Sequence, residues 1–186
     1  IRFRTGPTTT KSPSLLPPIF AIGDVTWSRA GSGVFSDPAN WLEGYTPTVL
    51  NDVVFDAVSG TPGYTVLLES TGDVKSLTHA TTREVDILAT SQTGVASDLL
   101  IGQSVVATRP TVRIGAPAGG DARLSFEALS FPSTLVAEEV LIGEQQAGAG
   151  TLSIVGPATA LDAGGLVTVG GAGDGTLRFE DGGSGV

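Results

Sequence analysis

No cysteine occurs anywhere in this chain, which excludes disulfides, thiolate metal sites and cysteine nucleophiles. A single histidine, His79, cannot build a multi-histidine metal centre. No Gly-x-Ser-x-Gly elbow accompanies it, so Ser-His-Asp catalysis has no support, and a surface or turn position is expected for it. Basic residues are scarce: 10 Lys and Arg against 19 Asp and Glu give a net charge of −9. Phosphate backbones and anionic lipid surfaces repel such a chain, which argues against nucleic-acid binding. No run of eighteen apolar residues exists, so no membrane-spanning helix is expected. The run Leu15–Phe20 is short and split by Pro17-Pro18, too broken for a signal core. Methionine is absent even at position 1, so a processed product or a fragment is expected, with further repeats beyond Val186.

What the chain has instead is glycine, 26 of 186 residues, and a recurring unit. Val140-Leu141-Ile142-Gly143 precedes a Gly-rich gap and Thr151-Leu152-Ser153-Ile154. Val167-Thr168-Val169-Gly170 precedes a similar gap and Thr176-Leu177-Arg178-Phe179. The Thr-Leu pairs lie 25 positions apart and the glycines 27. A worn third copy reads Leu99-Leu100-Ile101-Gly102, then Thr111-Val112-Arg113-Ile114-Gly115. Short strands and glycine turns at this period point to a β-solenoid, in which each repeat buries its apolar face on the next. Strand side chains alternate with period two. Leu152, Ile154, Leu177, Phe179, Val112 and Ile114 are therefore expected inward, with Arg113, Arg178 and Glu180 in solvent. Glycines 102, 115, 143 and 170 are expected to turn the chain with positive φ. Leu100 and Leu141 would then point outward together, an apolar stripe that asks for a cover, such as the arm near Leu15–Phe20 or another subunit.

Three segments are expected. Residues 1–22 form an extended, Pro-rich arm, whose Arg2, Arg4 and Lys11 make it basic against an acidic body. Residues 23–58 carry Trp27 and Trp41, aromatic plates suited to capping an exposed solenoid end. Residues 59–186 form the coils, beginning with strand-like runs at Tyr64–Leu68, Val74–Thr78 and Val85–Leu88.

The unit at 140–154, and its copy at 167–179, resembles the repeats of bacterial autotransporter passenger domains and of PEP-CTERM-associated surface proteins. The stretch Phe35-Ser36-Asp37-Pro38-Ala39-Asn40-Trp41, then Pro47 and Asp52-Val53-Val54-Phe55, is similar to the segment that often precedes such repeats. The likeness covers about 27–60 and 99–183. It implies a right-handed parallel β-helix, exported to the outside of a bacterium, and supplies no catalytic residue. The membrane barrel of a complete autotransporter is not part of this sequence.

Candidate chemistry is thin. Glu138-Glu139 and Glu180-Asp181 are adjacent, so their side chains diverge in a strand. Asp52 and Asp56 share a face but stand about 13 Å apart, beyond the separation of paired glycosidase carboxylates. The loop Gly170-Gly171-Ala172-Gly173-Asp174-Gly175 approaches a calcium-binding nonapeptide, with its Asp one place early and in one copy. No phosphate-binding Gly-x-x-x-x-Gly-Lys-Ser/Thr occurs. No catalytic, cofactor-binding or metal residue is therefore assigned. The expectation is an all-β, non-enzymatic, secreted or surface-displayed structural or adhesive rod. Its partners would be copies of itself, in a filament, or surface and matrix components. A polysaccharide-degrading or carbohydrate-binding β-helix is the alternative.

Overall fold

The computed structural model describes residues 22–55, 63–90, 94–102, 111–116 and 120–186. The proposed arm, except Ile22, lies outside these residues, as does Asp56. Among them there is no α-helix, and all named strands pair in parallel. The strands are β1 (Gly23–Thr26), β2 (Gly33–Val34), β3 (Asn51–Phe55), β4 (Gly63–Leu68), β5 (Gly72–Val74), β6 (Ser76–His79), β7 (Glu84–Ala89), β8 (Leu99–Ile101), β9 (Thr111–Ile114), β10 (Asp121–Ala128), β11 (Ser133–Ile142), β12 (Ala149–Val155), β13 (Thr159–Val169), β14 (Asp174–Glu180) and β15 (Ser184–Gly185).

Two sheets share these strands. The larger runs β1-β3-β6-β9-β11-β13-β15, with β5 joined through β8 to β11, and the smaller runs β14-β12-β10-β7-β4-β2. The chain alternates between them: each strand of the smaller sheet is followed by one or two of the larger. A single buried apolar cluster draws on both.

Why these segments are strands is visible in their alternation. β4 and β7 bury every second residue, as a pleated chain with one dry face must. Parallel register then lines like residues into rows. In the larger sheet Val25, Val53, Leu77, Val112, Val140 and Val167 form one row, and Phe55, His79, Ile114, Ile142 and Val169 another. In the smaller sheet the rows are Tyr64, Val85, Leu124, Leu152, Leu177 and Val66, Ile87, Phe126, Ile154, Phe179. Each fully buried Val, Leu, Ile or Phe contributes about 1.5–3 kcal/mol relative to exposure.

This register corrects the third copy of the repeat. Val112-Arg113-Ile114 pairs with Val140-Leu141-Ile142, and so answers to the first half of the unit. The partner of Thr151-Leu152-Ser153-Ile154 is Arg123-Leu124-Ser125-Phe126, which sequence reading passed over. Leu99-Leu100 pairs instead with Leu135-Val136 at the start of β11. Leu100 and Leu141 consequently occupy different rows and make no common stripe. Leu141, though pointing away from the Val140 and Ile142 row, is itself buried.

Glycine geometry follows expectation at three of four turns. Gly102, Gly143 and Gly170 have φ of 70°, 71° and 77°, whereas Gly115 is not in the positive-φ region.

Candidate functional site

Of the carboxylate pairs considered above, neither adjacent pair forms a shared site among the described residues, and Asp56, the partner weighed for Asp52, lies outside them. Glu138 is exposed while Glu139 is buried, at a register irregularity of β11 between the inward residues Ala137 and Val140. Asp52 is engaged by Lys75 Nζ at 2.6 Å and by the Ser76 hydroxyl at 2.6 Å, a part-exposed brace between neighbouring strands. Glu180 faces Arg178 at 3.6 Å, and Asp181 begins the next turn with φ 50°. The glycine loop after Gly170 is tied by backbone hydrogen bonds from Gly173 N–H to Gly143 O and from Asp174 N–H to Gly148 O. Among the described residues, no group of three or more His, Cys, Asp or Glu could hold a metal ion.

His79 corrects the surface expectation. It is fully buried in the inward row between Phe55 and Ile114. Alternation from Leu77 puts it there: the residue two places on shares the face. Its Nδ1 lies 3.3 Å from the Phe55 carbonyl oxygen and its Nε2 2.9 Å from that of Arg83. Both contacts are to main chain, which assigns the ring to holding the Thr81–Arg83 turn against β3.

The N-terminal ends of both sheets are closed by one stretch, residues 35–43. Thr26 N–H donates to the Glu43 carboxylate at 2.9 Å, and Leu42 N–H donates to the Thr26 carbonyl at 2.9 Å. Trp27 and Trp41 form an antiparallel bridge there. On the smaller sheet the Asn40 side-chain amide donates to the Val34 carbonyl at 2.8 Å, and the Trp41 indole N–H to the Phe35 carbonyl at 2.9 Å. A cluster of five aromatic rings fills the space behind. Trp27 stacks on Tyr64 with centroids 5.8 Å apart and meets Trp41 edge-on at 5.1 Å, with Phe35 and Phe55 alongside. All five are buried.

The opposite ends differ. β15 and Val186 pair with β13 only at residues 160–163, and the stretch 166–169 has no further strand beside it among the described residues. β14 is likewise the last strand of its sheet. The inward rows surface at this point: Val167 is 36%, Val169 44% and Phe179 45% exposed. The Phe179 ring lies against Gly185, which leaves its other side open.

The outer faces mix polar and apolar residues. On the smaller sheet the row Thr65, Asp86, Ser125, Ser153 and Arg178 is tied by a Ser125–Asp86 hydrogen bond. Beside it Asp121 accepts from Arg123 at 2.8 Å, and that contact holds the exposed guanidinium above its ordinary range. On the larger sheet a concavity opens over β9, β11 and β13, lined by Thr111, Arg113, Glu139, Leu141, Glu144 and Thr168.

Comparison with protein-family models, with curated proteins and with solved structures finds no match for this chain. No described helix is long and apolar enough to cross a membrane.

Proposed function

We propose that the chain is a non-enzymatic structural or adhesive segment, a β-solenoid closed at its N-terminal end and ready at its last strands to take a further rung, from more of the same chain or, for the 186-residue chain by itself, from a second copy. The alternation of strands between two parallel sheets supports the solenoid reading, since each winding then adds one rung to every row. Likeness of the repeats to autotransporter and PEP-CTERM-associated proteins supports a right-handed coil displayed outside a bacterial cell.

The observation that carries the assembly is the jump in exposure along single rows. Val140 is fully buried and Val167, its neighbour in the row, is 36% exposed; Ile154 is fully buried and Phe179 is 45% exposed. An apolar row beside an unpaired strand edge is a template for another strand. Residues 35–43 cap Thr26 and Val34 at the other end, and a second copy that pairs through its own last strand would make a two-fold contact. Charge favours that arrangement. Antiparallel pairing centred on Phe179 sets Arg178 opposite the mate's Glu180, twice.

Completing the burial of Val167, Val169, Leu177 and Phe179 gains about 1 kcal/mol each, against an association cost of about 4–15 kcal/mol. Backbone pairing has to supply the remainder, so the contact is weak and concentration-dependent. Sedimentation velocity from about 1 µM to 1 mM is expected to show a monomer–dimer equilibrium. The double variant Val169→Glu, Phe179→Glu should remain a folded monomer throughout. A wild-type chain that stays monomeric across the range removes the assembly.

A further inference from the structure

Two Asp-Gly pairs flank β14, Asp174-Gly175 at its start and Asp181-Gly182 just past its end. Aspartate before glycine is the pairing in which the side-chain carboxyl is most open to attack by the next main-chain nitrogen, because glycine has no Cβ to block the approach. The fold treats the two pairs in opposite ways.

At Asp181-Gly182 the backbone makes a tight turn. Gly183 N–H donates to the Glu180 carbonyl at 2.9 Å, and both central residues have positive φ, 50° at Asp181 and 92° at Gly182. This is the pattern of a type I′ turn, which Asp-Gly suits. Both residues are exposed, and the Gly182 N–H has no acceptor among the described residues. Asp174-Gly175 is held instead. The pair lies in register with Ala149 and Gly150 of β12, and Asp174 N–H donates to the Gly148 carbonyl at 3.0 Å. A Cβ on Gly175 would collide with the Gly170 nitrogen and the Ile142 carbonyl. The main-chain rotation that ring closure needs therefore requires local unfolding at this pair.

We propose that Asp181 is a site of spontaneous conversion to isoaspartate, and that the conversion releases β15 from β13. The only co-reactant is water. The Gly182 nitrogen attacks Cγ of Asp181. A new C–N bond forms, the carboxyl C–OH bond breaks, and the hydroxyl leaves with the nitrogen's proton as water. The product is a succinimide ring. Water then opens it at either carbonyl. Opening at Cγ restores aspartate, and opening at the Asp181 main-chain carbonyl leaves the chain running through the side chain. No mass is gained or lost, but the main chain is one atom longer. Only Gly182 and Gly183 separate that atom from β15, and neither has slack. Gly182 abuts Pro157, and a Cβ on Gly183 would collide with the Ile154 carbonyl. The strand beyond is weakly held, ending in Val186 N–H to the Leu161 carbonyl at 2.9 Å and Ala163 N–H to the Val186 carbonyl at 3.2 Å. Its displacement takes Gly185 off the Phe179 ring. The conversion does not rest on the proposed assembly, so either can fail without the other.

The test ages the whole chain for weeks at neutral pH and low concentration, folded and, in parallel, in urea. Peptide mapping with electron-transfer fragmentation, which tells isoaspartyl from aspartyl backbone, scores both pairs. In the folded chain isoaspartate is expected at 181 at least about tenfold faster than at 174, which must first leave its strand. In urea the two rates should be alike. Asp181→Glu, which would have to close a larger ring, should stay unmodified. Asp181→Asn forms the same succinimide by losing ammonia and should convert faster, with a mass change that reports each event. Equal rates at 174 and 181 in the folded chain overturn the proposal. So does an unmodified Asp181 when the urea sample has converted. Hydrogen exchange of the aged chain reads the consequence. The Ala163 and Val186 amides should lose protection and the Thr26 amide should keep it. Unchanged protection at Ala163 and Val186 overturns the release of β15.

Discussion

Phe55 and Phe179 are both phenylalanines in inward rows near an end of their sheets, yet one is fully buried and the other is 45% exposed. Their neighbours explain the difference. Phe55 is enclosed by Trp27, Trp41 and Tyr64, rings brought in by the stretch around β1 and by β4. Phe179 has the small Gly185 on one side and no described strand on the other. Parallel pairing thus gives identical residues different exposures according to which described strands and rings flank them. Residues 35–43 close the N-terminal end with side-chain hydrogen bonds and aromatic area.

The largest predicted contrast follows directly. Trp41→Ala removes a buried indole and its bond to the Phe35 carbonyl and should cost about 3–5 kcal/mol. Phe179→Ala, in monomer conditions, should cost under about 1.5 kcal/mol, because half of its surface is wet already. Urea unfolding at low protein concentration measures both. Equal losses would mean that the aromatic cluster is not what closes the N-terminal end.

Turns sharpen the comparison next. At Gly143 φ is 71° and an added Cβ would collide with the Asp174 carbonyl of the following turn. At Gly115 the backbone is ordinary and the nearest atom to an added Cβ is 3.6 Å away. Gly143→Ala should therefore cost about 1–3 kcal/mol or more from left-handed strain and displaced backbone, while Gly115→Ala should be neutral or slightly stabilising. Chemical denaturation of the two variants side by side checks this. A destabilised Gly115→Ala would show that its turn differs in solution.

These two glycines also mark what the sequence could and could not reveal. Strand positions, inward residues and the glycine-ended unit were readable, because alternation and turn chemistry are local. Register was not. Val112-Arg113-Ile114 looks locally like either half of the unit, and only its pairing with Val140–Ile142 decides. The trailing Gly115 and the following Arg123-Leu124-Ser125-Phe126 were the available clue. His79 was misplaced by its residue type, although its spacing from Leu77 argued inward. The cavity over Glu139 could not be read at all. Thr111 and Arg113 lie more than 25 residues before it and Thr168 more than 25 after, so only the parallel pairing of β9, β11 and β13 brings them together.

A smaller loss of stability than at Trp41 or Gly143 probes what blocks an edge. Glu43 accepts the Thr26 N–H through its side chain, in a place where another strand would otherwise offer a carbonyl. Glu43→Ala removes that acceptor from an exposed site, and water replaces it, so the cost should be about 0.5–1.5 kcal/mol. The Leu42 N–H still bonds the Thr26 carbonyl and the aromatic cluster stays in place. If free backbone donors alone make an end adhesive, this variant should associate more strongly than wild type in sedimentation. If an open apolar row is also required, association should be unchanged, since Val25 and Val53 remain covered. The second outcome is expected here, because one hydrogen bond worth about 1 kcal/mol falls well short of the cost of bringing two chains together.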